Sequence, residues 1–255
     1  ADLKRSDVSS DARSDVREEA LVASVQPFSE LKPEELRNRP QYLKPISFYR
    51  SLAFDKSSFR KVLSRLAKRL AIKDRNAESA EAYFELMRLS DEARDRREAL
   101  ESFYEKFKKA KLSNFPQQAS SEVRETIRLT EEENHLNPKK AVGIERYEVV
   151  LRDIATSLHL QGMKTKRIED LQQAVLSYDD YLSAFANSKY RGVILINKAE
   201  ALFHMNRFVE SGEMYERISQ SLAKNHRRKR EMLSSSVQSY IEGLKDVEKV
   251  SLLEK

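Results

Sequence analysis

Apolar residues recur every three or four positions along most of this chain, which is the spacing of one face of an α-helix. The clearest stretch spans residues 190–222, where two such patterns flank a predicted turn at 205–207. The first pattern contains Leu195, Ala199, Leu202 and Phe203, and the second contains Phe208, Ser211, Gly212, Tyr215 and Ile218. We therefore predict a hairpin of two short helices, in which the small residues at 211–212 allow close approach.

The same periodicity predicts helices over most of the remaining chain. A helix capped by Ser57 or Ser58 carries an apolar stripe, and Gly162 is predicted to end another helix. Residues 78–110 form a second predicted hairpin, although one long helix is the alternative because the turn near 91–95 lacks glycine. The remaining predicted helices cover residues 121–133, 142–160, 168–185 and 230–250.

Two predicted hairpins share an internal spacing. The interval in the chain from Tyr83 to Ala99 equals the interval from Leu195 to Ser211. Phe103 then follows Ala99 at the same distance along the chain as Tyr215 follows Ser211. Two segments with one spacing indicate a repeat better than either segment alone.

Residues 190–222 resemble a tetratricopeptide (TPR) repeat, a helix-turn-helix unit of about 34 residues. The resemblance is weaker over 142–186 and 78–110, and Leu195 stands where the family usually has an aromatic residue. The resemblance implies an all-α fold, a right-handed α-solenoid of helix-turn-helix hairpins with a concave groove. The helix over 230–250 is then expected to cap the array by burying its apolar residues. These are Leu233, Val237, Tyr240, Ile241, Leu244 and Val247.

The resemblance also implies which residues face the partner groove. They are Phe84, Glu85 and Arg88 in the earlier hairpin, and Ile196, Asn197, Glu200, Phe203 and His204 in the later one. Asn197 matches a place where such proteins hydrogen-bond the backbone of a ligand. The alternative interpretation is that Asn197 is only a solvated residue on the helix surface. The expected function is a non-catalytic scaffold or adaptor that holds a partner protein or peptide, as part of a larger assembly.

The first 45 residues are the least regular part of the sequence. A short helix opened by Ser14 or Asp15 precedes four prolines, at 27, 33, 40 and 45, and each proline disfavours helix at the residue before it. Residues 1–45 are interpreted either as a leader that straps across the first repeats or as a disordered segment. The helical-repeat domain is expected over residues 46–255.

Two basic clusters provide an alternative function, which is nucleic-acid binding. The first cluster is Arg60, Lys61, Arg65, Lys68 and Arg69, and the second is Lys224, Arg227, Arg228, Lys229 and Arg230. Such clusters bind phosphates or acidic protein surfaces. Proteins that bind single-stranded nucleic acid usually stack bases on exposed aromatic residues, and such residues are missing beside both clusters. The simplest interpretation is that both clusters are solvated helix faces with acidic neighbours.

Composition narrows the remaining possibilities. The 255 residues are 40% hydrophobic and 35% charged, with a net charge of +6, no cysteine and no apolar run long enough for an integral membrane segment. The four histidines at 135, 159, 204 and 226 form no metal-ligand motif, so we expect no metal, no cofactor and no enzymatic activity. The Ala1 start and the lack of cysteine favour export slightly over the cytoplasm, and the oligomeric state stays open.

Overall fold

The computed structural model describes residues 10–31, 35, 44–112, 115–116, 118–224 and 226–253. Throughout this part of the chain, regular structure is helical and no strand is present. The all-α class is therefore confirmed. The chain forms two compact units, residues 1–112 and 113–255, which are described separately.

The described part of unit 1 contains six helices. They are α1 (Ser10–Ala23), α2 (Val25–Glu30), α3 (Pro45–Leu52), α4 (Lys56–Ile72), α5 (Asn76–Leu89) and α6 (Ala93–Lys109). Helices α4, α5 and α6 pack against one another in chain order, and α1, α2 and α3 each contact α4. Helix α4 therefore lies at the centre of this unit.

The start of α4 is fixed by a capping box. Asp55 is the N-cap, and its carboxylate accepts a hydrogen bond from the backbone N–H of Ser58 at 2.6 Å. The predicted cap, Ser57 or Ser58, is wrong because Ser58 instead occupies the third helical position and pairs with the Asp55 backbone at 3.2 Å. The predicted apolar stripe is buried, as expected for a central helix: Phe59, Val62, Leu63, Leu66 and Leu70.

The described part of the N-terminal segment is helical over residues 10–23 and 25–30. Helix α1 begins at Ser10, earlier than the predicted start at Ser14 or Asp15. Pro27 lies inside the first turn of α2, where proline costs no intrahelical hydrogen bond. The predicted interruption at residues 33 and 40 lies outside the described residues, and Pro45 opens α3.

The predicted hairpin at 78–110 consists of two helices and not one. Helix α5 ends at Leu89 and α6 begins at Ala93. Phe84 of α5 packs against Phe103 of α6, with ring centroids 5.2 Å apart. A short connection without glycine is thus sufficient to reverse the chain here.

Over its described residues, unit 2 contains a further six helices and one 3-10 turn, Pro138–Lys140. The helices are α7 (Ala119–Leu136), α8 (Arg146–Thr165), α9 (Ile168–Ala184), α10 (Arg191–His204), α11 (Phe208–Ser221) and α12 (Arg227–Leu253). From α8 to α12, each helix packs against the next in the chain, and α7 contacts both α8 and α9. Packing of neighbouring helices in pairs is thus common to both units.

Gly162 does not end its helix, so that prediction is wrong. Helix α8 continues to Thr165, and the left-handed conformation of Lys166 (φ 57°) terminates it. Gly162 is buried, and a Cβ atom placed on it would lie 2.7 Å from Cγ of Leu171 on α9. The glycine therefore allows α8 and α9 to approach closely.

The face that α12 presents to α11 also differs from the prediction. Among the described side chains of α12, the buried ones are Met232, Ser236 and Ser239. Ser239 Oγ lies 3.3 Å from Ser211 Oγ, and a Cβ on Gly212 would lie 2.9 Å from the Tyr240 ring. Small side chains therefore allow the close approach of the two helices around Ser211 and Gly212, while the larger Met232 packs into the core beside it.

The apolar residues predicted to cap the array lie on the outer side of α12. Tyr240 is half-buried, and residue 247 lies beyond the described side chains. The other four side chains are 42–66% exposed: Leu233, Val237, Ile241 and Leu244. The prediction that they are buried is wrong, because α12 packs on α11 through the side that carries Met232, Ser236 and Ser239, and these four side chains lie on the other side of the helix.

Candidate functional site

Two hairpins in the molecule are built to the same plan, with matching residues separated by one constant offset along the chain. In α4–α5, Ser79 Oγ donates a buried 2.8 Å hydrogen bond to the carbonyl of Ala67. In α10–α11, Ser211 Oγ donates a buried 2.8 Å hydrogen bond to the carbonyl of Ala199. Each serine thereby joins the second helix of its hairpin to the backbone of the first.

The turns of these two hairpins match as well. Asp74 and Asn206 both adopt positive φ angles, 54° and 60° respectively. Asp and Asn tolerate this left-handed conformation better than most residues other than glycine. The arginine that follows each of them forms a two-pronged ion pair with a glutamate three positions later, Glu78 in one turn and Glu210 in the other.

These contacts change the register that the sequence predicted. The apolar spacing aligns Tyr83 with Leu195, but the serine hydrogen bonds make Tyr83 the counterpart of Tyr215. Ala99, which the spacing aligns with Ser211, lies on the next helix, α6. Residues 75–83 and 207–215 share the string Arg-x-x-Glu-Ser-x-Glu-x-Tyr, which was the missed signal.

A cleft of about 560 Å³ lies in unit 1 across α4, α5 and α6. Helices α4 and α6 form its walls, and α5 contributes a tyrosine and a leucine. The lining residues are Ser57, Arg60, Lys61, Ser64, Lys68, Tyr83, Leu86, Ser90, Asp95, Glu98, Ala99 and Ser102. The cleft combines hydroxyl groups, both signs of charge and some apolar surface.

Charge in the cleft is largely balanced. Arg60 Nη2 lies 2.5 Å from Asp95 Oδ2, which ties α4 to α6. Lys61 pairs with Glu18 of α1. Burial raises the pKa of Tyr83, whose hydroxyl also interacts with Ser102.

The first basic cluster is mostly paired with acidic residues. Besides Arg60 and Lys61, Arg69 pairs with Glu30 of α2 at 2.8 Å. Arg65 and Lys68 make no ion pair within the part of the chain that the structure describes. This cluster therefore holds α1, α2 and α6 against α4 through ion pairs, and most of its charge is not available to bind phosphate.

The second basic cluster is more open. Arg227 is 94% exposed and its closest carboxylate oxygen, on Glu231, is 3.9 Å away. Lys229 donates a 3.3 Å hydrogen bond to the Leu222 carbonyl. Lys224, just before α12, is exposed, as are Arg228 and Arg230 in its first turn.

The groove residues predicted in the earlier hairpin do not line the cleft. Phe84 is buried against Phe103. Glu85 pairs with Arg50 of α3 and with Arg88, the latter at 3.2 Å. The shifted register explains this result, because these three residues lie on the second helix of the α4–α5 hairpin.

The groove residues predicted in the later hairpin lie on α10. Glu200 and His204 are exposed, whereas Asn197 interacts with the hydroxyl of Tyr178 on α9. Ile196 packs at the edge of an apolar cluster, and Phe203 contacts Phe208 with ring centroids 5.1 Å apart. The structure thus leaves two of these five side chains exposed and holds the other three by packing or hydrogen bonding.

The constant offset between the two hairpins, which takes Ser79 to Ser211, connects the later prediction to the cleft. By this offset, Ile196 and Glu200 on α10 correspond to Ser64 and Lys68 on α4, and both of the latter line the cleft. The sequence missed Ser64 and found Lys68 only as a member of a basic cluster.

His159 and Tyr178 form a buried polar pair between α8 and α9. His159 Nδ1 lies 3.1 Å from the Tyr178 hydroxyl, and Nε2 is buried without a hydrogen-bond partner among the described residues. Burial lowers the pKa of His159 and raises that of Tyr178. Both groups are therefore held in their neutral forms near the predicted groove of α10.

Two further observations concern chemistry and membranes. Within the described residues, no group of three His, Cys, Asp or Glu side chains is arranged to hold a metal ion. No helix in the described ranges combines the length and apolar character of a membrane span.

Comparison with protein-family models, with curated proteins and with solved structures found no match to this chain.

Proposed function

We propose that this chain is a non-catalytic protein-interaction scaffold of TPR-like hairpins, in which the unit 1 cleft receives a segment of a partner protein. The right-handed solenoid that the TPR resemblance implies is part of this proposal. Pairwise packing of neighbouring helices in each unit supports the assignment of helical hairpins.

The main support is the composition of the cleft wall. Ser64 and Lys68 occupy the α4 positions that correspond, by the constant offset between the hairpins, to Ile196 and Glu200. The TPR resemblance assigns those α10 positions to a partner groove. The cleft is located by its geometry alone and the groove positions by the resemblance, and the two coincide at Ser64 and Lys68. The counterparts of the other three predicted groove residues, at positions 65, 71 and 72, do not line the cleft.

The cleft chemistry suits an extended peptide. The hydroxyls of Ser57 and Ser64 supply neutral hydrogen-bonding groups, and Lys68 supplies a cation without an ion-pair partner in the described structure. Leu86 adds an apolar floor. Ligand sites of this kind use a few polar groups to fix the orientation of the ligand. Here the serine hydroxyls can hydrogen-bond a peptide backbone, and Lys68 can pair with one acidic side chain.

Nucleic-acid binding remains the second candidate, and the exposed second basic cluster favours it. It ranks lower because three cations of the first cluster are already paired with Asp95, Glu18 and Glu30. Phosphate binding would weaken steeply with salt, whereas peptide binding in a cleft of balanced charge would change little.

A blocking variant tests the scaffold function. Ser64→Arg with Lys68→Glu should obstruct the cleft with a long side chain and place a carboxylate where the unpaired Lys68 cation stands, without touching the core. The control is Ser121→Arg with Lys164→Glu, which makes the same charge changes at exposed side chains of the second unit. Each protein is used as bait in native cell extract, with nuclease added to half of each sample.

The proposal predicts a discrete protein partner that the native and control baits retain and the blocked bait loses. Partners retained equally by all three baits would refute a role for the cleft. Recovery that disappears with nuclease would instead support the nucleic-acid function.

A further inference from the structure

The outer face of α12 is an apolar stripe that no described part of the chain covers. Leu233, Val237, Ile241 and Leu244 are 44%, 57%, 42% and 66% exposed, respectively. Their spacings of four, four and three positions place them along one side of the helix. Four large apolar side chains in line form a contiguous patch, which soluble proteins seldom leave open to water.

Unit 1 provides an internal comparison for this face. Helix α6 packs on α5 through buried residues at 96, 100 and 103, and α12 packs on α11 through residues with the same spacing, 232, 236 and 239. In that register, Val237, Ile241 and Leu244 correspond to Glu101, Glu105 and Lys108, which are exposed, whereas Leu233 corresponds to the buried Arg97. Three of the four equivalent positions of α6 are therefore exposed charged residues, whereas those of α12 are exposed apolar residues.

The geometry points to a second copy of this chain as the occupant, and we propose that two α12 helices pair antiparallel about a two-fold axis near residue 239. Over its described side chains, which end at residue 245, the stripe reads almost the same in both directions. Such a pairing places Leu233 opposite Leu244 and Val237 opposite Ile241, so that each copy offers the other the same surface. Self-complementarity of this kind is what a two-fold interface requires.

Charge selects the antiparallel direction. Arg227, Arg228, Lys229 and Arg230 occupy the first turn of α12, and a parallel pair would place them beside the same four cations. At about 1.5 Å of rise per residue, the antiparallel pair instead places the two Arg228 residues roughly 30 Å apart. It also aligns the two helix dipoles in opposite directions, which is the favourable arrangement.

The charges beside the stripe favour a protein over an anionic membrane. Helices that lie on membranes carry lysine and arginine along their polar face. On α12 the cations are concentrated in the first turn, and the residues farther along include Gln238 and Glu242, which hydrogen-bond each other at 2.8 Å.

Sedimentation velocity of the full chain over a wide concentration range tests the pairing. We expect a reversible species of twice the 29.6 kDa chain mass. Val237→Glu should raise the dissociation constant at least about 100-fold, because each dimer would bury two unpaired carboxylates. The controls are Ile72→Glu and Leu136→Glu, at apolar residues that are 67% and 81% exposed elsewhere, and they should leave the dimer intact.

Disulfide trapping tests the direction, since the chain has no cysteine of its own. A mixture of Leu233→Cys and Leu244→Cys chains should form mixed disulfide dimers, and neither variant alone should do so. Circular dichroism checks that all variants keep their helices.

Three outcomes would overturn the proposal. They are a monomer at every concentration, a dimer unaffected by Val237→Glu, and trapping of each cysteine variant with itself. Co-flotation of the native chain with phosphatidylserine vesicles, lost in Val237→Glu, would also overturn it by making a membrane the occupant.

Discussion

Replacing Gly162 with alanine tests the close approach of α8 and α9. In an open helix this change stabilises by up to about 1 kcal/mol, because alanine has the higher helix propensity. Here the new Cβ would lie 2.7 Å from two Leu171 side-chain atoms and 2.9 Å from the Leu171 backbone nitrogen. Rotation of the leucine cannot relieve the backbone contact, so the helices must separate. Overpacking of this kind costs about 1–3 kcal/mol.

We therefore expect Gly162→Ala to be destabilising by about 1 kcal/mol, with the overpacking term larger than the propensity term. In a domain of this size, that change lowers the melting temperature by about 2–4 °C. Scanning calorimetry measures it directly. The matched control is Gly192→Ala on α10, where a Cβ would meet no atom within 4 Å. A Gly162→Ala protein as stable as the native chain, or more stable, would refute the packing described for α8 and α9.

Two further predictions concern the matched hairpins and the buried histidine. Ser79→Ala and Ser211→Ala should each lower the free energy of unfolding by about 1 kcal/mol in urea titrations, since each removes a buried hydrogen bond to the backbone of the neighbouring helix, and no loss at either serine would contradict the shared plan. For His159, burial holds the pKa below its ordinary 6.5 in the folded state, so the unfolded chain binds the extra proton more readily. The contribution of His159 to the free energy of unfolding should be constant above about pH 6.5 and should fall as the pH drops below that value. His159→Gln should reduce this fall. An unchanged slope of stability against pH would exclude His159 as its origin.

Helical periodicity was sufficient to predict the all-α class and most helices. The apolar stripe of α4 and the hairpin at 190–222 have the regular spacing that one-sided burial produces. The buried residues of these helices could be predicted from spacing, because each helix packs through a single face.

Positions governed by small residues could not be predicted in this way. Gly162 has the features of a helix end, yet it serves close helix contact, and only the position of Leu171 on another helix distinguishes the two roles. On α12 the periodicity correctly marks an apolar face. However, a hydrophobic pattern does not specify whether the same chain covers that face.

The cleft was missed for a related reason. Its wall contains Ser64, which has no apolar or chemical signature in the sequence. The register error compounded this, because spacing between apolar residues alone fits more than one alignment. The repeated Arg-x-x-Glu-Ser-x-Glu-x-Tyr string would have fixed the register through its polar residues.

The most direct test of the scaffold account is photo-crosslinking in cells. A benzophenone amino acid is placed at position 64 in the cleft wall, and a control chain carries it at position 94, on the 77% exposed Arg94 side chain of α6. The account predicts that mass spectrometry will identify one defined protein partner crosslinked at 64 and absent at 94. Crosslinks at 64 only within the chain itself, or the same proteins at both positions, would contradict a partner-binding cleft.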